Sequence, residues 1–196
     1  MCDIINIDNV HKKGLLLMKK RKTIGALLTP DYYFEKFDDI TPEFLHSKGI
    51  SALLIDIDNT IAPYEVAVPD KRIADWFAML RENGISAAFI SNNNQERVAL
   101  FNRELGILAY ANSGKPSTKT LRIAIEKMGS TLDNTASLGD QLLTDALAAH
   151  RLGIPVIIVP PIKDKKNLFF RFKRAIERPY MKKFFKKLES EKKNDK

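Results

Sequence analysis

Cysteine is nearly absent from this 196-residue chain: Cys2 stands alone, so neither an internal disulfide nor a cysteine-rich metal site can form. A reducing cytoplasm fits that usage. Long apolar runs are missing too. The longest, around Val156-Ile157-Ile158-Val159, is strand-sized and flanked by proline, well short of the roughly 20 residues that a membrane-spanning helix needs. Gly14 to Met18 is too short for the apolar region of a signal peptide, and Lys19-Lys20-Arg21-Lys22 follows where a cleavage site would be, so secretion is not expected. Histidine is scarce. None of His11, His46 and His150 lies near another His or Cys at ligand spacing, which argues against zinc, and His150 reads as a complement to a helix dipole.

At this length the chain holds one well-buried core and no second ordinary domain. Residues 1–22 lack sustained periodicity and end in the basic cluster; they are expected to be a poorly ordered extension, with Met18 as an alternative start. Positive charge is concentrated at the other end. Residues 163–196 contain 14 Lys or Arg against 5 Asp or Glu, which leaves the other residues at a net charge of −1 although the whole chain stands at +8. The basic balance therefore belongs to a tail rather than to the body, and nucleic acid is not an expected partner.

Between these ends, 23–162 reads as an α/β domain. Ser51 to Ile57, 85–91, 107–111, 135–139 and 154–159 are apolar strands. Ile73, Trp76, Phe77 and Leu80, and again Leu121, Ala124, Ile125 and Met128, recur at i, i+3, i+4, i+7 between Pro and Gly punctuation, as amphipathic helices do. Further helices are expected near 95–104 and 142–150. The alternation predicts a doubly wound parallel sheet with right-handed crossovers. The aromatic-rich stretch from Pro30 to Gly49 is expected to pack on this core, with Thr41 capping a helix that Pro42 begins.

Chemistry gathers where the strands stop. Asp56 and Asp58 follow an apolar run and precede Asn59, Thr60 and Pro63; two acids at a strand's end are costly to bury without a cation, a proton or hydrogen-bond donors. Ser91-Asn92-Asn93 ends the next strand, Lys115-Pro116 precedes a helix, and Gly139-Asp140-Gln141 ends a later strand, with Asp145 beyond it. Alone, each is ordinary: an Asx-turn, a cap, a solvated charge. In this order they supply an acid pair, a hydroxyl, an ammonium and a second acid pair to the carboxyl ends of strands, where open α/β sheets bind ligands.

With those residues the chain resembles the haloacid dehalogenase-like (HAD) superfamily, whose four ordered motifs match Asp56-x-Asp58-x-Thr60, Ser91, Lys115 and Gly139-Asp140-x-x-x-x-Asp145. It is similar to the capless subfamily IIIA, YqeG-like branch, which includes phosphatidylglycerophosphate phosphatases. The resemblance implies a Rossmann-like core with strand order 5-4-1-2-3, counted from the strand at Ser51. It implies a Mg²⁺-dependent phosphomonoester hydrolase with Asp56 as nucleophile and Asp58 as general acid and base, protonated for the first step with the help of burial and neighbouring carboxylates. Asp56, the Asp58 carbonyl and Asp140 would hold Mg²⁺, with Asp145 in support through water. Ser91 and Lys115 would bind phosphoryl oxygens, Asn92 and Thr60 would border the substrate, and Thr60 would orient Asp58 or tie down the loop.

Spacing bears on the substrate. Only 30 residues separate Thr60 from Ser91 and 23 separate Ser91 from Lys115, so no cap domain fits and the mouth should be open. That suits a phosphate presented on a membrane surface or a macromolecule, and phosphatidylglycerophosphate is the leading expectation. A soluble nucleotide, a sugar phosphate or a phosphoprotein keeps the same chemistry; a non-catalytic module using the basic tail would leave four clustered acids without purpose. In the tail, Leu168, Phe169, Phe172 and Ile176 precede Pro179, and Met181, Phe184, Phe185 and Leu188 follow it, both at helical spacing. The second stripe, opposite Lys182, Lys183, Lys186 and Lys187, is expected to anchor residues 180–196 peripherally on an anionic inner membrane face, apart from the catalytic fold.

Overall fold

The computed structural model describes residues 23–163 and 168–194, with side chains from 171 to 190 in the last stretch. The expected N-terminal extension, 1–22, and the tail residues Leu168 and Phe169 as side chains lie outside what is described. Six parallel strands form one sheet: β1 (Tyr32–Tyr33), β2 (Ala52–Ile55), β3 (Ser86–Ile90), β4 (Leu108–Tyr110), β5 (Thr135–Gly139) and β6 (Val156–Ile158), in the order β1-β6-β5-β2-β3-β4. Counted from β2, this is the expected 5-4-1-2-3 with one strand added. The addition is β1, inside the aromatic stretch, which pairs Tyr32 with Ile157 and Tyr33 with Ile158. Asp31 sets it there by accepting from the Val156 N–H (2.9 Å) and meeting His150 Nε2 (2.8 Å), while His150 Nδ1 lies 2.7 Å from the Leu27 carbonyl. His150 stands in the last turn of its helix, as expected of a dipole complement, and is also a buried tie between Leu27, Asp31 and the sheet.

Strand β2 sits centrally, between β3 and β5, and all four of its residues are buried, which is why it reads as an unbroken apolar run. Helices cover both faces: α1 (Ile24–Leu27), α2 (Pro42–Ser47), α3 (Lys71–Glu82), α4 (Gln95–Asn102), α5 (Lys119–Lys127), α6 (Leu147–Leu152) and α7 (Leu168–Asn194). Side-chain oxygens of Thr41, Asp70 and Asn94 cap α2, α3 and α4. One core layer runs through edge-to-face contacts from Phe37 to Trp76, Phe77, Phe89 and Phe101, and Trp76 donates to the Ile40 carbonyl (3.0 Å). The other, on the opposite face of the sheet, gathers Leu54, Ala88, Leu121, Ile125, Ala149 and Ile158. Between Thr60 and Lys115 the chain forms α3, β3, α4 and β4 with their connections, and no inserted domain.

The tail differs from expectation. Pro179 does not divide it: α7 is one helix that runs through it. Its Met181 and Phe184 face the core, and Phe184 and Phe185 meet Tyr33, at ring separations of 6.5 and 4.8 Å. The stripe read as a membrane anchor is therefore largely occupied by the fold itself, because β1 brings Tyr33 beneath it. Among the described residues, no helix is long and apolar enough to cross a membrane.

Candidate active site

The loop after β2 is shaped by its backbone. Asp56 N–H extends the ladder to the Leu138 carbonyl (2.9 Å), and the Ile57 carbonyl then gathers the N–H groups of Thr60, Ile61 and Ala62 at 3.1–3.2 Å. Asn59 takes φ +70°, a left-handed conformation that asparagine tolerates better than most residues. The result is a tight turn that holds Asp56 and Asp58 at the rim of the sheet. Beside it, β5 ends at Gly139, where a Cβ would overlap the Asp145 carboxyl; only glycine lets the following helix come so close. That helix opens with a π-helical turn, Leu142–Ala146, which points Thr144 and Asp145 back toward β2.

The four expected clusters meet here. Lys115 Nζ lies 2.7 Å from Asp56 Oδ1 and 2.7 Å from Asp145 Oδ1, with all three side chains buried. Asp56 Oδ2 accepts from Thr60 at 3.3 Å, so Thr60 serves Asp56 rather than Asp58. Asp56, Asp140 and Asp145 each place one oxygen within 4.8 Å of the others, and this is the grouping among the described residues able to hold a metal ion. The donors are all carboxylate oxygens, the chemistry of a hard divalent cation. The Asp58 carboxylate is not in that group.

Asp58 instead faces donors. Arg97 Nε and Nη2 approach its Oδ1 at 3.2 and 3.1 Å, and Asn93 Nδ2 donates to its Oδ2 at 2.9 Å. The neighbouring carboxylates expected around it are therefore replaced by a guanidinium and an amide. Ser91 Oγ accepts from the Asn93 N–H (3.0 Å). Asn92 was expected to border the substrate, and it does line the pocket, but its amide braces the lysine loop. Its oxygen accepts from Ser113 Oγ and the Lys115 N–H, both at 2.8 Å, and its Nδ2 donates to the Lys115 carbonyl at 3.0 Å. A pocket of about 220 Å³ is lined by Asp56, Asp58, Ser91 and Lys115, together with Tyr64 and Lys173.

Three acids in one buried place disturb each other. Burial lifts Asp56 to about 7, against the pull of Lys115 and with the help of Asp145 and Asp140. Burial also raises Asp140 to about 6, opposed by Arg174. For Lys115 burial works the other way, yet Asp145 and Asp56 outweigh it and hold the ammonium above its ordinary value. The acid cluster is thus short of positive charge, which a cation would supply.

Three residues that the motifs did not flag take part. Arg97 stands in the first turn of α4, the end of a helix that disfavours a cation, and this was the available signal that an acid must face it. Arg174 and Glu177 come from α7. Arg174 Nη2 pairs with Asp140 Oδ2, Arg174 Nη1 donates to the Asp140 carbonyl (2.7 Å), and Glu177 accepts from the Leu143 N–H (3.0 Å) at the start of the π turn.

A HAD-hydrolase-like family model matches residues 112–163, which carry Lys115, Asp140 and Asp145. "Probable phosphatase YqeG" from Bacillus subtilis (strain 168) is 34% identical over 149 residues, spanning 76% of this chain and 87% of that protein. The chain is a HAD-superfamily phosphatase of the YqeG type. Among solved structures, an uncharacterized protein from Listeria monocytogenes serotype 4b is similar with a TM-score of 0.47 at 15% identity, over 60% of this chain and 85% of that one. The cobalt-bound deoxy-D-mannose-octulosonate 8-phosphate phosphatase (YrbI) from Haemophilus influenzae gives 0.43 at 15% identity, over 70% and 92%.

Proposed function

We propose that this YqeG-type phosphatase hydrolyses a phosphomonoester through an aspartyl-phosphate on Asp56, with Mg²⁺ held by Asp56 and Asp140, the Asp58 carbonyl contributing and Asp145 supporting. The observation that carries the reading is the position of Asp56: buried in the pocket lining, gripped on one oxygen by Lys115 and only loosely on the other by Thr60, and grouped with two further acids. When bound, the cation would neutralise charge between Asp56 and the incoming phosphate. A carboxylate oxygen of Asp56 attacks phosphorus, and the ester P–O bond breaks as the leaving alkoxide takes a proton from Asp58, which must first leave Arg97 and take up that proton from solvent. Water then attacks the same phosphorus, Asp58 takes its proton, and the bond to Asp56 breaks to release phosphate. Ser91 and Lys115 stabilise the charge on the phosphoryl oxygens in transit. Arg97 and Asn93 hold Asp58 beside the pocket between these steps.

The substrate we favour is phosphatidylglycerophosphate, on the likeness to the YqeG-like branch and on the absence of an inserted cap. An uncapped mouth admits a headgroup that stays attached to a bilayer. The outward side of α7 supports this choice: Phe172 is 64% exposed and Ile176 is exposed beside it, with the exposed Lys182 and Lys183 on the same helix. A membrane contact would then use this side, opposite to the stripe that docks on Tyr33. The test compares phosphate release from phosphatidylglycerophosphate in mixed micelles with release from nucleotide, sugar-phosphate and phosphopeptide panels, in Mg²⁺ and in EDTA. Preference for the lipid, lost in EDTA, is expected. Faster turnover of a soluble ester would transfer the assignment to that class.

A further inference from the structure

Helix α7 reads from its sequence as a detachable basic tail, yet its inner face is not uniformly basic or apolar. At spacings of three and four it presents Arg174, Glu177, Met181 and Phe184 to the fold. The last two are the hydrophobic half of the contact. The first two reach the site. Glu177 is only 2% exposed, a burial that a carboxylate tolerates only with partners. It has two: it accepts from the Leu143 N–H at 3.0 Å and from Arg174 Nη1 at 3.0 Å. Arg174 in turn forks onto Asp140, one nitrogen on the backbone carbonyl and the other on carboxylate Oδ2. A continuous chain of polar contacts thus runs from the turn that carries Asp145, through α7, to Asp140.

We propose that Arg174, held in place by Glu177, is a positioning residue that fixes the Asp140 carboxylate for cation binding, which makes α7 part of the catalytic site. The inference rests on the metal reading given above. Two observations favour positioning over obstruction. Arg174 does not line the pocket that contains Asp56 and Lys115. It borders a neighbouring cavity of about 270 Å³, which Asp140, Glu177, Leu142 and Met181 line with it, and so meets Asp140 outside the pocket of Asp56 and Lys115. It also takes only Oδ2. The other oxygen, Oδ1, is left with one long contact to Gln141 Nε2 at 3.4 Å, and is the atom available to a cation. The Asp140 side chain is fully buried, whereas Arg174 is about one-third exposed. Outer partners of this kind set ligand orientation, and their loss typically weakens metal binding 10- to 100-fold.

The experiment is isothermal titration of the full chain with Mg²⁺ alone, without substrate, paired with melting curves in EDTA. The variants are Arg174→Gln, Arg174→Lys and Glu177→Gln, with Lys183→Gln on the exposed side of the helix as control. Arg174→Gln should weaken Mg²⁺ binding by about tenfold or more, Arg174→Lys and Glu177→Gln should weaken it less, and Lys183→Gln should match wild type. Unchanged Mg²⁺ affinity in Arg174→Gln with a lowered melting point would reduce Arg174 to a docking contact and overturn the proposal. Tighter binding would make it a competitor of the cation and overturn it equally. If Arg174→Gln does not fold, the same decision rests on Arg174→Lys and Glu177→Gln. Failure of wild type to bind Mg²⁺ at all would instead remove the metal reading, and this inference with it.

Discussion

Replacing Asp56 with asparagine removes a negative charge from a place where the fold disfavours it, so the variant should be dead and yet more stable. The carboxyl sits at about 7 in the folded chain against an ordinary 3.8, so between those values the folded protein holds a proton that the unfolded chain has lost. Stability contributed by this group is therefore present near pH 4 and is lost as pH rises through 7. At pH 8, with both states ionised, the gap corresponds to an upper figure of about 4 kcal/mol at 1.36 kcal/mol per pH unit. The asparagine amide would be neutral at every pH and would keep an oxygen for Lys115. Because Asp56 shares its environment with Asp145 and Asp140, a gain of about 2–4 kcal/mol is expected, or roughly 5–15 °C in melting temperature for a chain of this size. At pH 5 the wild-type carboxyl is mostly protonated when folded, and the advantage should shrink below about 2 kcal/mol. The assay is a pair of melting curves in EDTA at pH 8 and pH 5. A variant that melts at or below wild type at pH 8, or whose advantage grows toward acid, would refute the reasoning.

Lys115→Ala should behave in the opposite way, since it leaves Asp56 and Asp145 buried without their shared cation; a loss of about 3–5 kcal/mol is expected, read as a lower melting point that is worse at pH 8 than at pH 5. A melting point within a degree of wild type would mean that Lys115 is not needed to hold the acids. Gly139→Ala should push the Asp145 carboxyl out of place, because the added methyl meets it directly. Reduced turnover together with a lower melting point is expected, and wild-type values for both would show that the β5 end has room to spare.

The strand ends were legible because each of β2, β3 and β5 is an apolar run that stops at a polar cluster, and the buried pairing of β2 on both sides leaves that pattern no alternative. Asp56, Lys115 and Asp145, distant in sequence, meet at the strand ends, a convergence that the family resemblance implied and that order and spacing alone did not give. Two kinds of feature were not legible. Strand β1 is two residues long, and its pairing depends on Asp31 and His150, whose partnership spans 119 positions and leaves no periodic trace. Arg174 and Glu177 lie in a stretch whose composition says only that it is basic, and their partners are side chains and backbone 34 residues earlier. The apolar stripe of α7 was visible as a stripe, but sequence alone does not say whether a bilayer or Tyr33 covers it. Asn92 and Thr60 were legible as residues near the site, but not their partners, since short polar side chains serve the nearest backbone or carboxylate first.

The central claim is that Asp56 carries the phosphoryl group. It is tested most directly by acid-quenching the Mg²⁺-loaded enzyme during turnover of a phosphomonoester labelled in the phosphoryl group, digesting it, and locating the label by peptide mass. A phosphorylated peptide containing Asp56 is expected, unstable to base and hydroxylamine as an acyl phosphate is, absent from Asp56→Asn and accumulating in proportion to turnover. Sustained turnover by Asp56→Asn, or label on any other residue, would contradict the account.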